Sequence, residues 1–148
     1  MSDFDDCLKE KIKLIKPSAE ILKTPVDINR EASIQKLGSS YFLDGAKFLS
    51  ATQTPLLSII IGYFAMEHKA CEILAKKGYK IKDHVCIIKA VSEVLKRRDL
   101  AKQLSYAYSE RLNANYVMSF TTAEKDKEKT KLFLEDAIIF IEEMNKLG

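Results

Sequence analysis

Two histidines and one run of basic residues have the clearest capacity for chemistry in this 148-residue sequence. Between Lys76 and Arg98, eight basic residues (Lys76, Lys77, Lys80, Lys82, Lys89, Lys96, Arg97, Arg98) meet only Asp83 and Glu93, so 8 − 2 leaves +6 over 23 residues. That excess is a footprint for phosphate, although two lysine-rich helix ends give the same composition, because cations are favoured near helix C-termini. His84 lies inside this run, directly after Asp83. Near a helix N-terminus the charged imidazole is disfavoured, so a neutral, hydrogen-bonded ring within reach of a substrate is expected. Lys77, Lys80, Lys82 and His84 are the resulting candidates for holding a nucleotide or phosphate. His68 shares a helical face with Glu72, but no third ligand stands at a recognisable spacing, and no metal site is expected. Cys71 has Lys69 nearby and His68 three residues away, yet nothing in the sequence would orient that pair for nucleophilic catalysis. Tyr106 and Tyr108 offer faces for base stacking, although helical aromatics generally pack against neighbours.

The elements that must position these groups read as helices. Five glycines and three prolines punctuate the chain, and none of the prolines follows Pro55. A sandwich, a barrel or a doubly wound sheet needs many more turn residues. There is also no glycine-rich phosphate loop, and no cofactor is expected. Asp3 to Ile15 fits a short helix ended by Pro17, and Lys23-Thr24-Pro25 a turn. Asp27 fits the N-cap of a helix to about Ala51, whose stripe is Ile34, Leu37, Tyr41, Phe48 and Thr52. Gly38 and Gly45 beside that stripe point to a close helix neighbour. Thr54-Pro55 reads as N-cap and first helical residue of a helix to about Lys77, with Gly78 as terminator. Asp83 and Asp99 fit the N-caps of two further helices, and Thr121 to Glu124 fits a capping box for the last. The last helix has a wide apolar face: Phe133, Leu134, Ala137, Ile138, Ile141 and Met144. The expected fold is all-α, an up-and-down bundle of four long helices plus one or two short ones. It forms one domain over residues 1–148, with 1–26 as an N-terminal extension.

Charge is modest overall, 24 − 21 = +3, which does not by itself mark a nucleic-acid binder. Residues 1–74 sum to −1 and residues 75–148 to +4. Cys7, Cys71 and Cys86 are odd in number and form no CxxC, which argues against a disulfide framework and for a reducing compartment. The N-terminus is acidic without an apolar signal core, and the stretch Leu56 to Met66 is far short of the roughly 20 residues of a membrane span. A soluble, cytoplasmic protein without membrane contact is expected.

Three stretches occur in fixed order: Tyr63-Phe-Ala-Met-Glu-His-Lys-Ala70, Lys77-Gly-Tyr-Lys-Ile-Lys-Asp-His84 and Tyr108-Ser-Glu-Arg-Leu-Asn-Ala-Asn-Tyr116. Together they resemble the HEPN family (higher eukaryotes and prokaryotes nucleotide-binding domain) over roughly residues 28–147. The resemblance implies an up-and-down bundle, commonly a homodimer, that in many members pairs with a minimal nucleotidyltransferase. The active branch consists of metal-independent endoribonuclease toxins, which carry an arginine followed four to six residues later by a histidine. Such a pair suits RNA cleavage, with a base for the 2′-hydroxyl and a guanidinium for the phosphorane. Here the arginine is Arg111, but Tyr116 stands near the histidine's place, and a phenol with a pKa near 10 is a poor base at pH 7. Arg111 therefore joins the phosphate-binding candidates, since guanidinium forks suit phosphate. No confident catalytic residue emerges, the candidates being Arg111, Tyr116 and His84. The expected function is a non-catalytic subunit that binds nucleotide or RNA phosphate and acts with a nucleotidyltransferase-like partner in a toxin–antitoxin-type pair. The alternatives are an active endoribonuclease that uses Arg111 with His84 or Tyr116, and a structural dimer built on the last helix.

Overall fold

In a computed structural model, which describes residues 3–9, 17–52, 54–117 and 123–148, the chain is a helical bundle with one very small sheet. Its elements are α1 (Asp3–Cys7), β1 (Ala19–Ile21), α2 (Pro25–Ser50), α3 (Leu56–Lys76), β2 (Tyr79–Ile81), α4 (His84–Glu93), α5 (Arg98–Val117) and α6 (Ala123–Asn145). Among the described residues, four long helices and two short ones match the expected architecture. The mainly apolar α3 is the centre, packed by α2, α4, α5 and α6. Its Ile59, Tyr63, Ala65, Ala70, Ile73 and Leu74 are fully enclosed, together with Leu104 of α5 and Ala137, Phe140 and Met144 of α6. Most of the wide α6 face is thus covered within one chain. No helix among the described residues is long and apolar enough to cross a membrane.

Several boundaries differ from expectation for local reasons. The turn expected at Lys23-Thr24-Pro25 is the start of α2: Thr24 is the N-cap, its Oγ1 accepting from Asp27 N–H at 3.1 Å, with Pro25 leading the helix. Asp27 sits inside the first turn, where a carboxylate favours the positive end of the helix dipole. Thr54, conversely, makes no side-chain cap; α3 begins at Leu56 behind Pro55. Asp83 caps α4 as expected, accepting from Cys86 N–H at 3.1 Å. Gly78 ends α3 with φ of +98°, a left-handed conformation that glycine adopts without steric penalty. Thr121 and Thr122 of the expected capping box, and the helix expected beyond Lys9, lie outside the described residues.

The face of α2 is the main correction. Ile34, Leu37, Tyr41 and Phe48, expected on the core side, are all exposed. The buried line is instead Ala32, Ser39 and Ala46, seven residues apart, whose small side chains let α2 approach α3 closely. Ser39 Oγ donates to Ala65 O at 2.8 Å, and Ser58 Oγ of α3 returns a bond to Ala46 O at 2.6 Å. Gly38 belongs to the same contact, because a Cβ there would meet the His68 ring at 3.0 Å.

The sheet was not expected either. β1 pairs antiparallel with β2 in the register Ala19↔Ile81, Glu20↔Lys80 and Ile21↔Tyr79. Within the first 26 residues, β1 is paired, and Phe4 and Cys7 of α1 are buried. Phe4 N–H donates to Glu93 Oε2 of α4 at 2.7 Å, and its ring meets Tyr79 edge-on at 5.4 Å. Cys7 is bonded to Cys86 in a disulfide that spans 79 residues of sequence, which overturns the expectation of unpaired cysteines. Counting and near-neighbour spacing cannot detect such a pair. The cysteine argument for a reducing compartment falls with it.

Candidate functional site

Arg111 and His84, 27 residues apart in sequence, are brought to one aromatic cluster where α3, α4 and α5 meet. His84 is the first residue of α4, fixed by the Asp83 cap beneath it. Its Nδ1 is hydrogen-bonded to Glu67 Oε2 of α3. The same carboxylate oxygen accepts from Tyr63 O–H at 2.5 Å, one helical turn earlier, and the phenol lies 3.4 Å from His84 Nδ1. Burial, reinforced by Glu67, pushes the Tyr63 phenol well above its usual range, so it stays a proton donor to the carboxylate. The Tyr108 ring of α5 lies 5.3 Å from the His84 ring and 5.7 Å from the Tyr63 ring.

Arg111 reaches into these rings from α5. Its guanidinium carbon lies 5.3 Å from the Tyr63 centroid, 5.3 Å from Phe64 and 5.2 Å from Tyr108. Three π faces stabilise the cation without neutralising it. Its Nε is buried with no hydrogen-bond partner among the described residues, and no carboxylate among them lies within ion-pair distance of it. Nearby carboxylates are engaged elsewhere: Glu67 by His84 and Tyr63, and Glu110 by Lys129 at 3.1 Å. With Nδ1 directed at Glu67, the His84 Nε2 makes no hydrogen bond among the described residues, and the side chain is 35% exposed. A carboxylate holding one imidazole nitrogen leaves the other as an outward lone pair when Nδ1 carries the proton. The cluster thus pairs a cation fit for an anion with an oriented imidazole.

The lysines expected to join it are dispersed. Lys80 pairs with Glu31 of α2 at 3.7 Å, and Lys76 with Glu72 at 3.2 Å. Lys77 is the exposed C-cap of α3, and Lys82 is exposed, its N–H bonded to Ser18 O at 2.9 Å. Arg97 forks onto Asp99 at 2.9 and 2.8 Å. Part of the +6 is therefore neutralised by acids from outside the run, which a count along the sequence does not see. Tyr116 lies in α5, but its side chain is outside the described residues, so its proposed role is not placed.

The other candidates take structural positions. His68 Nδ1 is bonded to Gln35 Oε1 at 2.5 Å, its ring stacks on Phe42 at 5.2 Å, and burial lowers its pKa from the usual 6.5. Glu72 is held by the buried Lys69 at 2.5 Å as well as by Lys76, so neither partner of the conceivable metal pair faces the other. Burial pushes the Cys71 thiol well up, away from the thiolate that a nucleophile needs. Glu67, Phe64 and the joint role of Tyr63 and Tyr108 escaped the sequence reading. The one available signal was the four-residue step from Tyr63 to Glu67, which puts both on one helix face. No protein-family model matches the chain, and no curated protein matches its sequence.

Proposed function

We propose that this chain is a HEPN-type helical bundle that binds the phosphate of a nucleotide or RNA at the Arg111–His84 cluster without cleaving it. The reading includes a homodimer, a nucleotidyltransferase-like partner in a toxin–antitoxin-type pair, and a cytoplasmic setting where nucleotides and RNA are met. One observation carries the binding half: Arg111 is a cation fixed among three rings, with a buried unpartnered Nε–H and no opposing carboxylate among the described residues. A preorganised guanidinium without a counter-charge is a seat for a phosphate oxygen. The partner and the paired system rest on the family resemblance.

A second reading is favoured by the Glu67–His84 bond. In it, His84 Nε2 takes the proton of a ribose 2′-hydroxyl and the oxygen attacks phosphorus. The 5′-oxygen leaves and is protonated, giving a 2′,3′-cyclic phosphate and a 5′-hydroxyl. Arg111 would stabilise the charge that develops on the phosphorane. Incubating the protein with a ribo-oligonucleotide in excess chelator separates the two. Binding without cleavage leaves the RNA intact, and Glu67→Gln tightens the complex by removing a negative charge beside the anion. Cleavage that Glu67→Gln slows and Arg111→Met abolishes replaces the first reading with the second. No binding at all sinks both.

A further inference from the structure

The outer face of α2 carries apolar side chains that the other described residues leave exposed: Val26 at 65%, Ile34 at 54%, Leu37 at 72%, Tyr41 at 76% and Phe48 at 73%. Single exposed apolar residues are ordinary, but a row along one helix marks a contact surface. At about 100° per residue, Val26, Arg30, Leu37, Asp44 and Phe48 fall within about 20° of one line, opposite the buried Ala32–Ser39–Ala46 edge. Ile34 and Tyr41 flank that line on one side, and the small Ser33 and Ser40 on the other. From Val26 to Phe48 the row runs about 33 Å.

The order of residues along this line is self-complementary. Arg30 and Asp44 lie seven residues either side of Leu37, and Val26 and Phe48 eleven either side. Arg30 and Asp44 are exposed, and neither has an ion-pair partner among the described residues. We propose that this face is the contact between two copies of the chain, with α2 packed antiparallel on α2 about a two-fold axis at Leu37. In that arrangement Leu37 meets its own symmetry mate, each Arg30 faces an Asp44, and each Val26 faces a Phe48. Ile34 of one copy lies beside Tyr41 of the other on the same flank, while Ser33 and Ser40 let the helices approach on the opposite flank. An isologous contact needs this reversal symmetry, whereas an unrelated partner does not. The assignment gives the homodimer of the proposed function a surface, but it draws only on α2 and not on phosphate binding.

The test is the mass of the full-length protein by light scattering or sedimentation at tens of micromolar. The wild type is expected at twice the monomer mass, and Leu37→Glu, which puts two like charges on the axis, at the monomer mass. Arg30→Asp and Asp44→Arg should each weaken the dimer at least tenfold, while the two together restore it. All three sites are exposed, so circular dichroism of each variant should match the wild type. A monomeric wild type overturns the proposal. So does a dimer indifferent to Leu37→Glu, or charge reversals that do not rescue each other, whatever other protein or vesicle the face then binds. Phosphate titration of the Leu37→Glu monomer reads the binding proposal separately.

Discussion

Arg111→Met asks whether the guanidinium is a ligand group or a strut. Methionine fills a similar volume and keeps contact with the three rings while removing the charge. Each cation–π contact is worth about 0.5–1 kcal/mol, more when desolvated, so three rings sharing one guanidinium give about 2–3 kcal/mol. Against that stand two gains. The buried, unpartnered Nε–H disappears, a relief of about 1–3 kcal/mol. The thioether also recovers about 0.3–1.5 kcal/mol from the aromatic rings. The net change in stability should then be within about 1 kcal/mol. Anion affinity should fall far more, because a charge-assisted hydrogen bond is worth about 1.5–3 kcal/mol, or roughly 10–150-fold in Kd. Urea unfolding followed by circular dichroism reads the first quantity. Titration with a ribonucleoside 5′-monophosphate and with a ribo-oligonucleotide, at fixed salt, reads the second. A variant that loses more than about 3 kcal/mol of stability while binding both ligands as tightly as wild type would show that Arg111 is a strut.

Two further outcomes follow from the packing. The His68 imidazole resists protonation in the fold, while the unfolded chain takes up its proton at the ordinary 6.5. Stability should therefore hold above that pH and decline below it, by at most about 1.4 kcal/mol per pH unit from this one group. His68→Gln should flatten the decline in denaturation curves taken across that range, and an unchanged slope would remove the argument. The Cys7–Cys86 bond closes 79 residues of sequence, and a loop of that size takes up to about 4.5 kcal/mol of chain entropy from the unfolded state. Reduction, or Cys7→Ser with Cys86→Ser, should lower the urea midpoint accordingly. Thiol titration of rapidly alkylated protein should find Cys71 alone, and only after unfolding.

The helical class was readable because α3 and α6 are long and strongly patterned, and because Asp83 and Gly78 sit where a cap and a terminator must. The periodicity of α2 was equally readable, but its meaning was not. Periodicity reports that Ile34, Leu37, Tyr41 and Phe48 share a face; it does not report which face turns inward. On α2 the inward face is made of alanine, serine and glycine, because α3 comes too close for larger side chains. β1 and β2 are three residues each, too short for alternation to register. At the site, Arg111 and His84 were readable as residue types. Glu67 was not, because its partner His84 lies 17 positions away on another helix. Lys80 was misplaced for the same reason, its counter-charge Glu31 coming from α2.

That dependence on distant partners also decides what controls the cluster. Where an arginine and a histidine share a helix four to six residues apart, the helix itself fixes their separation. In this chain the imidazole comes from α4, its orienting carboxylate from α3 and the guanidinium from α5. Their spacing is then set by how α4 is anchored beside α3. Three devices make that anchorage: Gly78, which turns the chain out of α3; the β1–β2 pairing, which braces the segment between Gly78 and Asp83; and the disulfide at Cys86, two residues after His84. None of them touches an anion held by Arg111, yet all of them position His84. A binder that relies on the arginine tolerates looseness there, because one guanidinium seats a phosphate wherever the imidazole points. A nuclease does not, because proton transfer requires hydrogen-bond reach between the imidazole and the 2′-hydroxyl while the phosphate is held. Reducing the disulfide is therefore a perturbation at a distance that discriminates by mechanism: it should leave phosphate affinity nearly intact and would depress any cleavage.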